Sequence, residues 1–169
     1  MPGVRILGVD PGTRVVGYGL IDVGPGARPT YVECGVITLE EKDPMPLRLS
    51  VLARSIAELI AEFGPRILSL EAAFHGKNAL SALKLGQARG AVMVVAAERG
   101  LEVAEYPPAY VKRAIAGHGR ATKEDVTARV QLLFGLARPP RADAADALAI
   151  ALCHAHGGPS GPGRGRLGR

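Results

Sequence analysis

The chain opens on an apolar run, Val4, Ile6, Leu7 and Val9, that stops at a carboxylate, Asp10. So nearly continuous a run suits a strand covered on both faces. Pro11-Gly12 supplies turn chemistry directly after it. Residues 16–23, with Gly17 and Gly19 two apart, read as a second strand, and a turn cluster over residues 24–29 leads to a third at 31–39. Three strands this close in sequence predict an antiparallel meander. After a polar connector over residues 40–46, helical spacing appears at Leu49, Leu52, Ala53, Ile56, Leu59, Ile60 and Phe63, and Gly64-Pro65 stops it.

The second half alternates strands and helices. Ile67-Leu68-Ser69-Leu70-Glu71 is a short buried strand that again ends on an acid. A helix over about residues 78–99 is closed by Gly100, and residues 103–105 make a brief strand. Pro107-Pro108 starts a short helix carrying Lys112 and Arg113, and Gly117-His118-Gly119 forms a loop. Thr122-Lys123-Glu124-Asp125 resembles a capping box, with Asp where Glu or Gln is preferred, for a helix to Phe134. Pro139-Pro140 precedes a last helix from Ala142 to about His156. Residues 157–169, rich in Gly, Pro and Arg, are expected to be a disordered tail. The order predicts an α/β fold, a mixed five-stranded sheet flanked by helices.

Composition narrows the class. Among 169 residues, 47% are apolar and 4% aromatic with no Trp, so one ordinary core of aliphatic side chains is expected. No run of about 18 apolar residues exists to span a membrane, and the early first strand leaves no room for a signal peptide. Cys34 and Cys153 match no metal or redox spacing, which suits reduced thiols in a cytoplasmic protein. The net charge is +5, and residues 77–123 hold 8 basic against 3 acidic side chains. Such segregation fits a polyanionic partner.

Candidate chemistry lies in the acids. Asp10 taken alone is as well explained as a turn residue bonding its own backbone. Glu71 ends a strand in the same way, and adjacent strands would bring the two acids to one edge. Asp143 and Asp146 stand three apart, on one face of the last helix, among small residues that permit close approach to the sheet. Helix capping is the plainer account of Asp143. Asp146 lies deeper, in an apolar stretch where an unpaired acid is costly, so it needs a partner. Four carboxylates make an all-oxygen site, suited to Mg²⁺ or Mn²⁺ rather than zinc. Two such ions roughly 3.5–4 Å apart can serve the attacking water and leaving oxygen of a phosphodiester.

Several blocks carry a family resemblance: Asp10-Pro11-Gly12-Thr13 with Gly17-Tyr18-Gly19, Glu71 followed by Phe74 and Lys77-Asn78, the stretch from Ser81 to Gly90, and that from Ala142 to Ala151. Together they resemble the bacterial RuvC family of Holliday-junction resolvases, from the first strand to about His156. The resemblance implies a ribonuclease H-like nuclease domain over residues 1–156 and a homodimer. It also implies Mg²⁺-dependent cutting of two opposed strands of a four-way DNA junction, with 5′-phosphate and 3′-hydroxyl products. A branch-migration helicase complex of the RuvA and RuvB type is the implied partner. Asp10, Glu71, Asp143 and Asp146 then take the family's metal-binding catalytic roles.

Lys77, Lys84, Arg89, Lys112, Arg113, Arg120 and Lys123 are candidate phosphate contacts, of which Lys112 and Lys123 match family positions that bind DNA. By position alone Phe74 suits a core, but the resemblance implies stacking on an unpaired base. Gly86 and Gly90, in a row with Ala82, Ala91 and Ala97, allow close packing on the chain's own sheet or, alternatively, on a second copy. Two further readings remain beside a resolvase. An actin-like ATPase would need a second phosphate-cradling turn, which is absent, and an RNA-processing ribonuclease H-like enzyme need not carry the middle blocks.

Overall fold

The computed structural model describes residues 3–72 and 78–157. Strands β1 (Val4–Asp10), β2 (Val15–Val23) and β3 (Thr30–Thr38) form the expected antiparallel meander. Strands β4 (Ile67–Glu71) and β5 (Glu102–Tyr106) extend the sheet in parallel on the other side of β1. The order β3-β2-β1-β4-β5 makes one mixed five-stranded sheet.

Strand alternation sorts the core into two layers. Leu7, Val9, Leu68 and Leu70 pack with helices α1 (Met45–Phe63) and α2 (Ala79–Glu98) on one face. Ile6 and Ile21 pack on the other with α3 (Pro108–Ala116), α4 (Lys123–Phe134) and α5 (Ala142–Ala155). Side chains of α5 from Ala147 to Cys153 are all buried, and each large one contributes about 1.5–3 kcal/mol by leaving water.

Helix ends follow local chemistry. Gly64, Gly117 and Gly135 close α1, α3 and α4 in the left-handed conformation. Asn78 caps α2 through the Leu80 amide at 2.8 Å. The Thr122 capping box forms as read, with Asp125 completing it: 3.1 Å from the Asp125 amide to Thr122 Oγ1 and 2.9 Å from the Thr122 amide to Asp125 Oδ2. Helix α1 begins at Met45, inside the expected connector over residues 40–46, because a proline is tolerated in the first helical turn.

The small-residue row of α2 departs from its default explanation. The helix seats itself through Ala88, Val92 and Ala96, which are buried. Gly86 and Gly90 lie two positions off that row, roughly 200° around the helix. A Cβ built at either meets nothing within 4 Å, so neither glycine serves packing on the chain's own sheet among the described residues.

Candidate active site

Asp10 and Glu71 are the last residues of β1 and β4, which lie side by side in parallel, with Val9 opposite Leu70. The two carboxylates therefore leave the sheet at the same edge. Asp10 is also paired across the meander with Gly17. Helix α5 crosses the sheet directly over glycines: a Cβ at Gly17 would stand 1.9 Å from the Asp143 carbonyl oxygen. One at Gly8 would stand 2.1 Å from that of Ala147, and one at Gly19 2.7 Å from Leu148 Cγ. Only bare backbone admits the helix so close. Ser69, fully buried, fastens it further by donating to the Ile150 carbonyl at 2.9 Å.

That seat brings Asp143 and Asp146 to the acids on the sheet. Asp143 stands in the first turn of α5, where its charge complements the helix dipole, but the cap position is Arg141, which makes no side-chain cap bond. The partner that Asp146 needs is Lys123 Nζ, 3.7 Å away at the start of α4, where the capping box holds it. Asp10, Glu71 and Asp146 line one cavity of about 270 Å³, together with Lys112, Thr122 and Lys123.

The electrostatics of this cavity are those of crowded, half-buried acids. Burial, then the Asp146, Glu71 and Asp143 charges, push the Asp10 carboxyl up to about 7, against the pull of Lys123. Burial and Asp146 raise Glu71, with Lys112 and Lys123 opposing. Burial raises Asp146 as well, against both lysines. Two lysines thus fall short of neutralising the acids, and an all-oxygen donor set with surplus negative charge fits a hard divalent cation. Among the described residues, no group of three or more Asp, Glu, His or Cys side chains is drawn together closely enough to hold a metal ion.

The remaining predicted contacts divide. Lys84, Arg113 and Arg120 are exposed and do not line this cavity, and the Arg113 guanidinium lies over the Tyr110 ring, 5.8 Å from its centre. Arg89 turns inward, bonding the Glu71 carbonyl oxygen at 3.2 Å and pairing with Glu105. Phe74 and Lys77 lie outside the described residues. Sequence reading did not find Arg48, whose guanidinium donates to the Thr13 carbonyl at 3.1 Å, the Asp43 carbonyl at 2.9 Å and the Glu41 carbonyl. It steadies the turn that follows Asp10. Nothing in the spacing of α1 marks it.

Comparison with known proteins decides the family. The family described as crossover junction endodeoxyribonuclease RuvC matches residues 6–154. The chain belongs to the RuvC family. It is 54% identical over 151 residues to a Marinobacter nauticus crossover junction endodeoxyribonuclease RuvC, covering 89% of this chain and 85% of that one. A Halorhodospira halophila RuvC is 51% identical over 153 residues, covering 90% of each. Among solved structures, T. thermophilus RuvC in complex with Holliday junction substrate aligns with a TM-score of 0.85 at 36% identity, over 90% of this chain and 93% of that one. The fold is therefore the ribonuclease H-like fold of RuvC nucleases, as the resemblance implied. No described helix is long and apolar enough to cross a membrane.

Proposed function

We propose that this RuvC-family nuclease resolves four-way DNA junctions by paired, symmetric, metal-dependent incisions that leave a 5′-phosphate and a 3′-hydroxyl, in recombination and repair. The observation that carries the reading is the convergence of Asp10, Glu71 and Asp146 in one cavity that Lys112 and Lys123 also line, with Asp143 in electrostatic reach. The junction complex of the T. thermophilus relative supports the substrate.

Asp10, Glu71, Asp143 and Asp146 are the oxygen donors that would hold two Mg²⁺ ions, with Mn²⁺ as a substitute. Bound metal would supply activation of the attacking water and stabilisation of the leaving 3′-oxygen. Asp143 or Asp146 takes the proton of that water. Lys112 and Lys123 favour the ionised form of Glu71 and Asp146, and both stand where a phosphate entering the cavity meets positive charge.

Paired incision needs two sites related by symmetry. The outward row of α2 supports a homodimer: Leu83 and Val94 are 61% and 55% exposed, with the open Gly86 and Gly90 between them. A branch-migration complex of the RuvA and RuvB type is the expected further partner, in the cytoplasm, on family grounds.

The test offers a mobile four-way junction, a linear duplex and an RNA hairpin to wild type and Glu71→Gln, with Mg²⁺ or EDTA. Selective junction incision that needs both Mg²⁺ and Glu71 is expected. Junction binding without metal-dependent incision would remove the nuclease reading and leave a binding protein.

A further inference from the structure

Arg89 belongs by composition to the basic middle of the chain, yet its side chain is only 17% exposed. Its Nε donates to the main-chain carbonyl of Glu71, 3.2 Å away, and its Nη2 pairs with the carboxylate of Glu105 on β5. Glu71 is the last residue of β4, and the next amide, Ala72, bonds the Tyr106 carbonyl at 2.8 Å. The Glu71 carbonyl is thus fixed by a side chain from another layer at the point where regular strand structure stops. A guanidinium suits this task because one planar fork can bond the carbonyl and the carboxylate together, which an ammonium does poorly.

We propose that Arg89 is a positioning residue for Glu71: it fixes the strand end so that the Glu71 carboxylate stays aimed into the acid cavity, and Glu105 in turn fixes Arg89. It acts through Glu71 and does not bind phosphate. The proposal rests on Glu71 being a catalytic acid. It also ties the chemistry to α2, because the helix that carries Arg89 carries the outward row read as the dimer face.

The experiment compares Arg89→Lys, Glu105→Gln and Glu71→Gln with the wild-type full chain. It measures junction affinity in EDTA, its salt dependence, single-turnover cleavage rate, the half-saturating Mg²⁺ concentration and Tm. Arg89→Lys is expected to keep wild-type junction affinity and salt slope while cleavage falls on the order of 10- to 100-fold, the cost of a small misplacement of a reacting group. Half-saturating Mg²⁺ should rise with it. Glu105→Gln should slow cleavage in the same direction without tightening DNA binding. A phosphate-binding Arg89 gives the opposite pattern: Lys substitutes adequately, and removing the competing Glu105 charge strengthens binding. Either result overturns the proposal, as does wild-type cleavage by Arg89→Lys. A fall in Tm with cleavage unchanged when assayed well below it overturns it too. Glu71→Gln separates the two levels. If it still cuts, the catalytic role of Glu71 fails first; if it is inert while Arg89→Lys cuts normally, only the positioning role fails.

Discussion

The Cβ that Gly17 lacks would stand 1.9 Å from the carbonyl oxygen of Asp143. Gly17 is also the cross-strand partner of Asp10. One missing methyl group therefore sets how near the last helix comes to the first strand, and with it the distance between two acids 133 positions apart in the chain.

Gly17→Ala tests this directly. The contact is backbone against backbone, so no side-chain rotation relieves it, and α5 must move outward. We expect a loss of about 1–3 kcal/mol or more in stability, in the range of overpacked cores. Junction cleavage should fall further than stability does, because the same movement carries Asp143 and Asp146 from Asp10. Thermal melts beside cleavage rates at a temperature below both melting points check it. A variant that melts like wild type and cuts like wild type would show that the helix does not rest on Gly17.

Much of this arrangement was legible in the chain. Apolar runs ending at Asp10 and Glu71 placed both acids at strand ends, and the meander pattern predicted the sheet around them. The three-residue spacing of Asp143 and Asp146 placed them on one helical face. What was not legible depends on contacts between layers. Gly8, Gly17 and Gly19 look like weak strand residues until a helix crosses them, although glycines two apart inside an apolar strand are a signal of close approach. Arg89 reads as a candidate phosphate contact and Arg48 goes unmarked, because a side chain that bonds distant main-chain carbonyls leaves no periodic trace. Gly86 and Gly90 suggested close packing on the chain's own sheet or on a second copy, since a small-residue row does not say which neighbour it awaits.

The acid cluster predicts an unusual dependence of stability on pH in EDTA. Asp10 ionises near 3.8 when exposed and near 7 in the fold, so the native state holds its proton more tightly. The stability this proton provides is fully present below the unfolded value and is lost as pH rises from about 4 through about 7. The metal-free protein should melt at lower temperature at pH 8 than at pH 6. Mg²⁺ should raise Tm more at the higher pH, where the carboxylates are ionised. Asp10→Asn should remove most of the pH effect. A flat melting profile in EDTA, with no Mg²⁺ shift at pH 8, would contradict the site.

The proposed dimer face predicts an oligomeric phenotype separable from the chemistry. Leu83 is 61% exposed on α2, beside the open Gly86. Leu83→Glu should change the monomer's stability by no more than about 0.5 kcal/mol, as for exposed sites elsewhere. Light scattering should show monomers for the variant and, on the proposed dimer, dimers for wild type. Junctions should then be nicked on one strand rather than resolved by paired cuts. Leu83→Glu dimers that resolve junctions normally would move the interface elsewhere.

Lys112 lines the acid cavity and favours the ionised form of Glu71, so its removal has two consequences that a solvated surface lysine would not produce. Loss of a phosphate contact should weaken junction binding uniformly and lower the slope of log affinity against log salt by about one. Loss of the positive charge should also leave Glu71 binding its proton more tightly than in wild type. In the proposed mechanism Glu71 serves in its ionised form, so the acidic limb of the pH–rate profile should move to higher pH in Lys112→Ala. Lys84→Ala supplies the contrast: Lys84 is exposed on α2 and does not line the cavity. It can alter the salt slope but should leave the acidic limb in place. Salt titrations of binding in EDTA, with cleavage rates from pH 5 to 9 at saturating DNA, resolve the two effects. An unchanged acidic limb in Lys112→Ala would mean that this lysine serves DNA alone and does not tune the acid.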